Sequence, residues 1–270
     1  MNKKQSASVS VVIPAFNEEA AIRECLDALA LQTVQPCEVL VVDNNSTDAT
    51  AAVAAAYPFV RVLKAHEQGI VFATTTGYDA AKGDIIARID VDSVVPPTWI
   101  AHIVRFYEDP SHSRAAWTGP GDFSNVPLRW LVNAWYRLMA FHFNRLLTGI
   151  PTLWGSNMAM TASQWRAISK KVHRQNGMHE DLDVTIHLHR AGYMVHYDRR
   201  ASVGTHMRNL ADRDGLWDYL QWWPRTLRVH GYKTWPLCWF FGGVVLYAAT
   251  YVLVVLDAMK RQHRSFANDR

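Results

Sequence analysis

The chain has 270 residues, of which 49% are hydrophobic and 19% are charged, which suits one large globular domain with or without an appendage. Its formal net charge of +4 at pH 7 favours anionic partners such as nucleotides or acidic lipid surfaces, and is too small to indicate nucleic-acid binding. The three cysteines lack the spacing of a metal or redox site, which favours a cytosolic catalytic domain over a secreted one.

Short β-branched runs alternate with helical segments over the first hundred residues. Four runs are typical of buried parallel strands: Val9–Ile13, Val39–Val42, Val60–Leu63 and Ile85–Ile89. Apolar residues recur at helical spacing in the segments between them: Glu19–Leu31, Asp48–Tyr57 and Gly69–Ala81. Ser46, Thr47 and Asp48 are predicted to cap the second helix. Units of this length predict an α/β fold with a doubly wound, mostly parallel sheet that binds ligands at the carboxyl ends of its strands.

The pattern changes after Pro96. Helices are predicted for Thr98–Tyr107, Leu128–Leu147 and Asp181–Ala191, and extended segments for Thr152–Met160 and Met194–Asp198. The second of these helices is aromatic, basic and amphipathic. No linker-like composition interrupts this part, so one catalytic domain is expected over residues 8–208.

The end of the chain has a different composition. A Trp-rich amphipathic connector is predicted over residues 209–236, an apolar helix over 237–256 and a basic tail over 257–270. The apolar run is uncharged and would span roughly 30 Å as a helix, which is about the thickness of a bilayer core. A buried core helix and a helix lying in the membrane surface are the alternatives. We expect membrane association on the cytoplasmic side of the cell membrane, through a single span or at the surface.

The first strand ends in an acidic loop that contains Pro14, Asn17, Glu18 and Glu19. A dinucleotide-binding fold would place a glycine-rich turn here, so that backbone amides could meet a pyrophosphate. Acids in this loop cannot neutralise phosphate, and another group must do so. Asp43, at the end of the second strand, is expected to face the ligand crevice.

The fourth strand ends in Asp90-Val91-Asp92. Two carboxylates that leave a buried strand form an oxygen-rich site suited to Mg²⁺ or Mn²⁺. A metal at this site would neutralise the diphosphate that the acidic first loop cannot, and would stabilise the charge that develops on a leaving nucleoside diphosphate.

Together these motifs resemble the nucleotide-binding half of the family 2 glycosyltransferases. The shared features are Pro-x-x-Asn-Glu, Val-Asp-x-x-Ser-Thr-Asp, the Gly69–Asp84 segment, Asp-x-Asp, Gly155-Ser-Asn157-Met-Ala159 and His179-Glu180-Asp181. The resemblance covers about three-quarters of the chain. It implies the GT-A nucleotide-sugar-binding fold, here followed by C-terminal amphipathic and apolar helices.

The resemblance also implies roles for individual residues. The residues implied to bind the donor are Pro14, Asn17, Glu18, Asp43 and Asp90. The residues implied to bind the metal are Asp92, Asp90 and a histidine. The acid pair Glu180-Asp181 is implied to be catalytic, with Asp181 as the general base that deprotonates the acceptor. His206 is preferred over His196 as the histidine ligand, because it follows the last strand beside Gly204 and Arg208.

The sequence departs from the family pattern at three places. Asn44-Asn45 replaces the usual Asp-Gly, and Thr74-Thr75 stands where many members carry Arg-Asn, a loss for which Arg88 is a candidate replacement. Gln221-Trp-Trp-Pro-Arg225 does not match the Gln-x-x-Arg-Trp of processive members, so we expect transfer of a single sugar.

The resulting hypothesis is a metal-dependent, inverting, hexosyltransferase-like enzyme of the cell envelope. Its partners would be a nucleotide-sugar donor, a lipid-linked or glycan acceptor and the membrane. A membrane-tethered pseudoenzyme that only binds nucleotide sugar is one alternative. A nucleotidyltransferase is another, disfavoured by the acids of the first loop.

Overall fold

The predicted alternation of strands and helices is present in the structure, a computed structural model that describes residues 7–124, 126, 128–206 and 213–238. The strands of the first part are β1 (Val9–Ala15), β2 (Glu38–Asp43), β3 (Val60–Lys64) and β4 (Ile85–Arg88). The helices are α1 (Ile22–Ala30), α2 (Thr50–Ala55) and α3 (Ile70–Ala80). Each predicted strand and helix of this part is confirmed, with boundaries that shift by a few residues.

The remaining elements follow in chain order. The helices are α4 (Trp99–Glu108), α5 (Arg129–Arg137), α6 (Asn144–Thr148), α7 (Ala162–Ile168), α8 (Glu180–Arg190), α9 (Arg213–Val229) and α10 (Trp235–Cys238). A 3-10 turn covers Pro110–His112, and a π-helical segment, Leu138–Phe143, joins α5 to α6. The strands are β5 (Ala115–Thr118), β6 (Gly121–Phe123), β7 (Met158–Thr161), β8 (Met194–Tyr197) and β9 (Val203–Thr205).

Within the described residues the main sheet has seven strands in the order β3-β2-β1-β4-β7-β5-β8. Strands β1 to β4 run parallel, β7 is antiparallel to both β4 and β5, and β5 pairs in parallel with β8. The sheet is therefore mixed and mostly parallel. The chain crosses from β1 outward to β2 and β3 and returns to β4 on the other side. This topology leaves a ligand crevice at the carboxyl ends of the strands.

Apolar residues on both faces of the sheet form its core. All seven residues of β1 are buried, as expected of a parallel strand that helices cover on two sides. One face packs against α1 and α4 through residues such as Leu26 and Trp99, and the other packs against α3 and α7 through residues such as Trp165. Complete burial of one such side chain stabilises the fold by about 1.5–3 kcal/mol.

The chain divides into two compact units. The first comprises Met1–Asp122, Ile150–Asn176 and Glu180–Thr205 and contains the main sheet. The second comprises Phe123–Gly149, Gly177–His179 and His206–Arg270. Within the second unit, Trp223 Nε1 donates a hydrogen bond to Asn144 Oδ1 at 2.6 Å. The predicted boundaries after residues 208, 236 and 256 stay predictions.

The amphipathic helix predicted over Leu128–Leu147 is present as α5, the π-helical segment and α6. The predicted apolar helix over 237–256 lies outside the described residues, apart from its first two positions in α10. No helix in the described part of the chain is both long enough and apolar enough to cross a bilayer.

Candidate active site

The loops that follow β1 and β2 are joined by reciprocal hydrogen bonds. The backbone N–H of Asn17 donates to Ser46 Oγ at 3.0 Å, and Asn17 Oδ1 accepts the backbone N–H of Thr47 at 2.8 Å. Asn17 has φ 54°, in the left-handed region that asparagine tolerates better than most residues. The two loops therefore form one rim at the carboxyl edge of the sheet.

The rim brings together four of the predicted donor-binding residues. Pro14 is buried near the end of β1, and Asp43 is buried at the end of β2, where its Oδ1 accepts the backbone N–H of Ser46 at 3.1 Å. Glu18 is half-buried, and its backbone N–H donates to the Thr50 hydroxyl at 2.7 Å. Together with Asn17 these residues lie at the carboxyl edge of the sheet, where proteins of this topology bind their ligands.

Of the three predicted capping residues, Asp48 is confirmed, because its Oδ1 accepts the backbone N–H of Thr50, the first residue of α2, at 3.0 Å. The predicted capping role of Ser46 and Thr47 is wrong. The N-cap of α2 is Ala49, three residues after Ser46, and it makes no side-chain cap bond. Ser46 and Thr47 instead serve the bonds to Asn17 described above, because the loop needs both residues to complete the rim.

Asn44 and Asn45, which replace the usual Asp-Gly of the family pattern, each have a structural role in the loop after β2. Asn45 has φ 64°, so it occupies a left-handed position at which glycine is the common residue. Asn44 Oδ1 accepts the backbone N–H of Gly69 at 2.7 Å, and Asn44 Nδ2 donates to the Glu67 carbonyl at 2.6 Å. The pair therefore keeps the turn and also holds the start of α3.

Thr74 and Thr75 face the protein interior. Both side chains are buried, and each hydroxyl donates to the carbonyl of Val71, one turn earlier in α3. Their hydrogen-bonding groups are thus used within the helix. They do not replace the Arg-Asn side chains that many members carry at this place.

Arg88 forms the central ion network of the site. Its side chain is 2% exposed, and it donates from Nη2 to Asp90 Oδ1 at 2.8 Å and from Nη1 to Glu180 Oε1 at 2.5 Å. A buried guanidinium requires such partners, because an unpaired charge in the interior costs several kcal/mol. The suggestion that Arg88 replaces a nucleoside contact is corrected by this geometry. Arg88 joins the Asp-x-Asp motif to the acid pair of α8.

The Gly155-Ser156-Asn157 motif contacts the same network. A Cβ on Gly155 would lie 2.4 Å from Arg88 Nη1, so only glycine leaves room for the guanidinium. The Ser156 hydroxyl donates to Asp90 Oδ2. Asn157 is buried and binds the Trp99 indole N–H through Oδ1 at 2.9 Å. The first two residues shape the site, and the third anchors the loop to the core.

The acid pair begins helix α8, where the helix dipole favours negative charge. Asp181 is half-buried, and its two carboxylate oxygens accept the backbone N–H groups of Gly155 at 3.0 Å and Leu182 at 2.8 Å. Burial raises the pKa of Glu180 to about 7; the Asp181 charge also raises it, and the Arg88 charge opposes the rise. Glu180 points to Arg88, and Asp181 is fixed beside the Gly155 loop.

The two histidines considered as metal ligands have different environments. His196, in β8, packs against Phe106 with ring centroids 4.9 Å apart and against His112 at 5.5 Å. Burial, followed by the nearby His112, lowers the pKa of His196. His206 follows β9 directly and is half-exposed. Its role as a metal ligand stays a prediction.

A protein-family model identifies the chain. The model described as Glycosyl transferase family 2 matches residues 10–174, which is more than half of the sequence. The chain belongs to glycosyl transferase family 2. The matched residues include both loops of the rim, Arg88, the Asp-x-Asp motif and the Gly155 loop.

Curated relatives match about a third of this family 2 chain. Glycosyltransferase AglE of Haloferax volcanii is 38% identical over 99 residues, which cover 34% of this chain and 33% of AglE. Undecaprenyl-phosphate 4-deoxy-4-formamido-L-arabinose transferase of Pseudomonas fluorescens is 34% identical over 105 residues, covering 36% of this chain and 31% of that protein. The chain thus spans about a third of the length of such relatives.

Solved structures share the GT-A fold predicted for the chain. Mannosyltransferase PcManGT from Pyrobaculum calidifontis, in complex with GDP-Man and Mn²⁺, aligns with TM-score 0.66 and 18% identity over 98% of this chain and 81% of that one. Glucosyl-3-phosphoglycerate synthase from Mycobacterium tuberculosis, with Mn²⁺ and UDP, aligns with TM-score 0.58 and 20% identity over 83% of this chain and 79% of that one. At this identity the likeness establishes the fold.

Family 2 membership makes a divalent metal plausible, and the donor set at the end of β4 fits one through Asp92. Asp92 is half-exposed and lies four residues beyond Arg88, the last residue of the strand. Asp90 has one oxygen bound to Arg88 and the other bound to Ser156. Both carboxylate oxygens of Asp90 are thus held by protein groups. The roles of Asp90 and Asp92 as metal ligands stay predictions.

The sequence contains the Gly155-Ser156-Asn157 motif but does not indicate its contacts with Arg88 and Asp90, nor the role of Arg88. One signal for Arg88 was present: a charged residue interrupts the apolar strand Ile85–Ile89, and a buried charge requires partners. The contacts of the Gly155 loop depend on an antiparallel strand, β7, whose pairing with β4 leaves no local pattern in the sequence.

Proposed function

We propose that this family 2 protein is a metal-dependent, inverting, hexosyltransferase-like enzyme that moves one sugar from a nucleotide-sugar donor to an acceptor. The observation that carries the proposal is the link through Arg88. It ties Asp90, beside the donor-binding rim, to Glu180, beside the predicted base Asp181. The donor-binding residues and the predicted base would then be held in a fixed position relative to one another.

The proposed step is a single displacement. Asp181 takes the proton of the acceptor hydroxyl or phosphate while the acceptor oxygen forms a bond to the anomeric carbon. The bond from that carbon to the diphosphate oxygen breaks, and the nucleoside diphosphate leaves with the electron pair. Attack from the face opposite the leaving group inverts the anomeric centre.

The other residues bind and orient. Pro14, Asn17, Glu18 and Asp43 would frame the nucleoside, and Glu180 would position Arg88 and Asp181. A divalent cation, Mg²⁺ or Mn²⁺, would be held by Asp92, with Asp90 and His206 as further predicted ligands. When bound, it would stabilise the negative charge of the departing diphosphate.

A lipid-linked acceptor at the membrane surface is supported by the outer residues of α5 and α6. Trp130 is 70% exposed and Leu146 is 77% exposed, and the exposed Arg129 and Arg145 are neighbours of these apolar side chains in the sequence. Apolar and basic residues on one helical segment suit an anionic lipid surface. The name of the Pseudomonas fluorescens relative specifies undecaprenyl phosphate for that protein. We propose a location on the cytoplasmic side of the cell membrane.

A donor screen tests the proposed reaction. The full chain is incubated with a panel of nucleotide sugars and Mn²⁺, thermal unfolding is followed, and the released product is identified after a lipid phosphate acceptor is added. A donor present at about 100 times its Kd should stabilise the protein by about 2.7 kcal/mol. Release of nucleoside diphosphate supports a transferase. Pyrophosphate would indicate a nucleotidyltransferase, and binding without release would indicate a pseudoenzyme.

Vesicle binding tests the proposed location. Sedimentation with vesicles of phosphatidylglycerol should carry down the wild type and less of Trp130→Ser. Leu31→Ser is the matched control, because Leu31 is also 70% exposed and lies at the end of α1 in the first unit. Equal binding of both variants would contradict the assignment of α5 to the membrane surface.

A further inference from the structure

A cluster of two histidines and one aspartate lies outside the residues assigned to sugar transfer. His173, Asp183 and His187 each offer one ligand atom, and these atoms lie within 4.8 Å of one another. Asp183 and His187 lie one turn apart on α8, and His173 precedes that helix. All three belong to the first unit.

The carboxylate of Asp183 is the centre of the cluster. Its side chain is 3% exposed, and its Oδ1 lies 2.6 Å from His173 Nδ1 and 3.6 Å from His187 Nε2. Its Oδ2 accepts the backbone N–H of His173 at 2.9 Å. This bond fixes the backbone of His173 beside the helix independently of the imidazole.

We propose that His173, Asp183 and His187 bind one Zn²⁺ ion. Two imidazole nitrogens and one carboxylate oxygen form a donor set that Zn²⁺ accepts readily, whereas Mg²⁺ and Mn²⁺ prefer oxygen alone. A tetrahedral ion with bonds of about 2.0–2.2 Å separates its ligand atoms by roughly 3.3 Å. The two distances to Asp183 Oδ1, 2.6 Å and 3.6 Å, lie on either side of that value. Binding would therefore replace the His173–Asp183 hydrogen bond and lengthen that separation by about 0.7 Å, and would shorten the separation to His187 by about 0.3 Å.

The burial of the cluster favours a bound ion over an exposed, adventitious one. The His187 side chain is 9% exposed, whereas His173 is 34% exposed and provides the access from solvent. The ion would tie His173 to the middle of α8, and α8 begins with the acid pair Glu180-Asp181. The site would thus stabilise the helix that presents the proposed base.

Zinc retention by the purified full chain tests the proposal. The protein is stripped with a chelator, loaded with ZnCl₂ and desalted, and zinc is measured by mass spectrometry and by competition with a chromophoric chelator. The wild type should retain one zinc per chain, and His187→Gln and Asp183→Asn should bind zinc more than about 100-fold more weakly. Asp92→Asn should retain zinc, which separates this site from the proposed active-site metal.

Two further variants address folding and specificity. His173→Gln changes a side chain that is one-third exposed, so circular dichroism should show a folded protein that has lost zinc. His112→Gln is the matched control, since His112 stacks on Phe106 with ring centroids 4.0 Å apart and has no part in the cluster. Absence of zinc in the wild type, or equal retention in wild type and His173→Gln, would overturn the proposal. Neither result depends on sugar transfer.

Discussion

Replacement of Arg88 by methionine probes the ion network on which the site depends. The change keeps most of the side-chain volume and removes the charge, so Glu180, which is 10% exposed, loses its partner. Removing one member of a buried pair typically destabilises a protein by about 3–5 kcal/mol. The pair Arg61–Glu38, with N···O 3.0 Å, gives the matched control, because the Arg61 side chain is 42% exposed whereas that of Arg88 is 2% exposed. Arg61→Met should cost less than about 1 kcal/mol.

The loss in Arg88→Met should depend on pH. Burial raises the pKa of Glu180 to about 7 in the wild type, although Arg88 opposes the rise, so removal of Arg88 should raise this pKa further. The pKa of Glu180 is higher in the folded protein than its unfolded value of 4.5, so the folded state binds the proton more tightly than the unfolded state does. The free energy of unfolding therefore falls as pH rises from the unfolded towards the folded pKa, by up to about 1.4 kcal/mol per pH unit.

Urea unfolding at pH 6 and pH 8.5 measures both effects. Arg88→Met should lose more stability than Arg61→Met at pH 8.5, and the loss should be smaller at pH 6, where Glu180 can bind a proton. The double variant Arg88→Met/Glu180→Gln should recover part of the loss at pH 8.5, because no unpaired carboxylate remains. A loss equal to that of Arg61→Met would show that the Arg88 network adds no stability. A loss that is independent of pH and of Glu180→Gln would show that it does not come from an unpaired Glu180 carboxylate.

Three further predictions concern single positions. Gly155→Ala should lower the free energy of unfolding by about 1–3 kcal/mol and slow transfer, because its Cβ would lie 2.4 Å from Arg88 Nη1. Gly204→Ala, whose Cβ would have its nearest atom at 3.4 Å, should lose less stability in the same unfolding assay. Asn45→Ala should cost about 1–2 kcal/mol and Asn45→Gly much less, since the residue has φ 64°; equal losses would argue against the turn. Asp92→Asn should abolish Mn²⁺-dependent transfer while leaving the unfolding midpoint in metal-free buffer within a few degrees of wild type.

The local part of the fold was predictable from the sequence, and the long-range part was not. Strands β1 to β4 are apolar runs buried on both faces, so their type and order follow from composition and spacing. Strand β5 and helix α7 were missed, because a four-residue strand such as Ala115–Thr118 carries little periodicity. The place of β7 between β4 and β5 depends on pairing across more than 70 residues of sequence, for example Ile85 with Thr161.

The candidate site divides in the same way. Asp43 and Asp92 were expected at the site from their positions at strand ends, because topology brings the ends of parallel strands to one edge. Asn17 was expected there from the family resemblance. The roles of all three stay predictions. The role of Arg88 required the three-dimensional structure, since its partner Glu180 is 92 residues away. Ser46 illustrates the opposite error: its type and place suggested a helix cap, but the neighbouring loop uses its hydroxyl.

In the proposed reaction Asp181 takes the acceptor proton during transfer. The direct test is the rate of sugar transfer by Asp181→Asn, with Asp109→Asn as control because Asp109 is an exposed acid at a 3-10 turn. We predict that kcat falls by roughly 10²–10⁴-fold in Asp181→Asn, with donor-induced thermal stabilisation unchanged, and that Asp109→Asn matches the wild type. Transfer by Asp181→Asn at the wild-type rate would contradict the account.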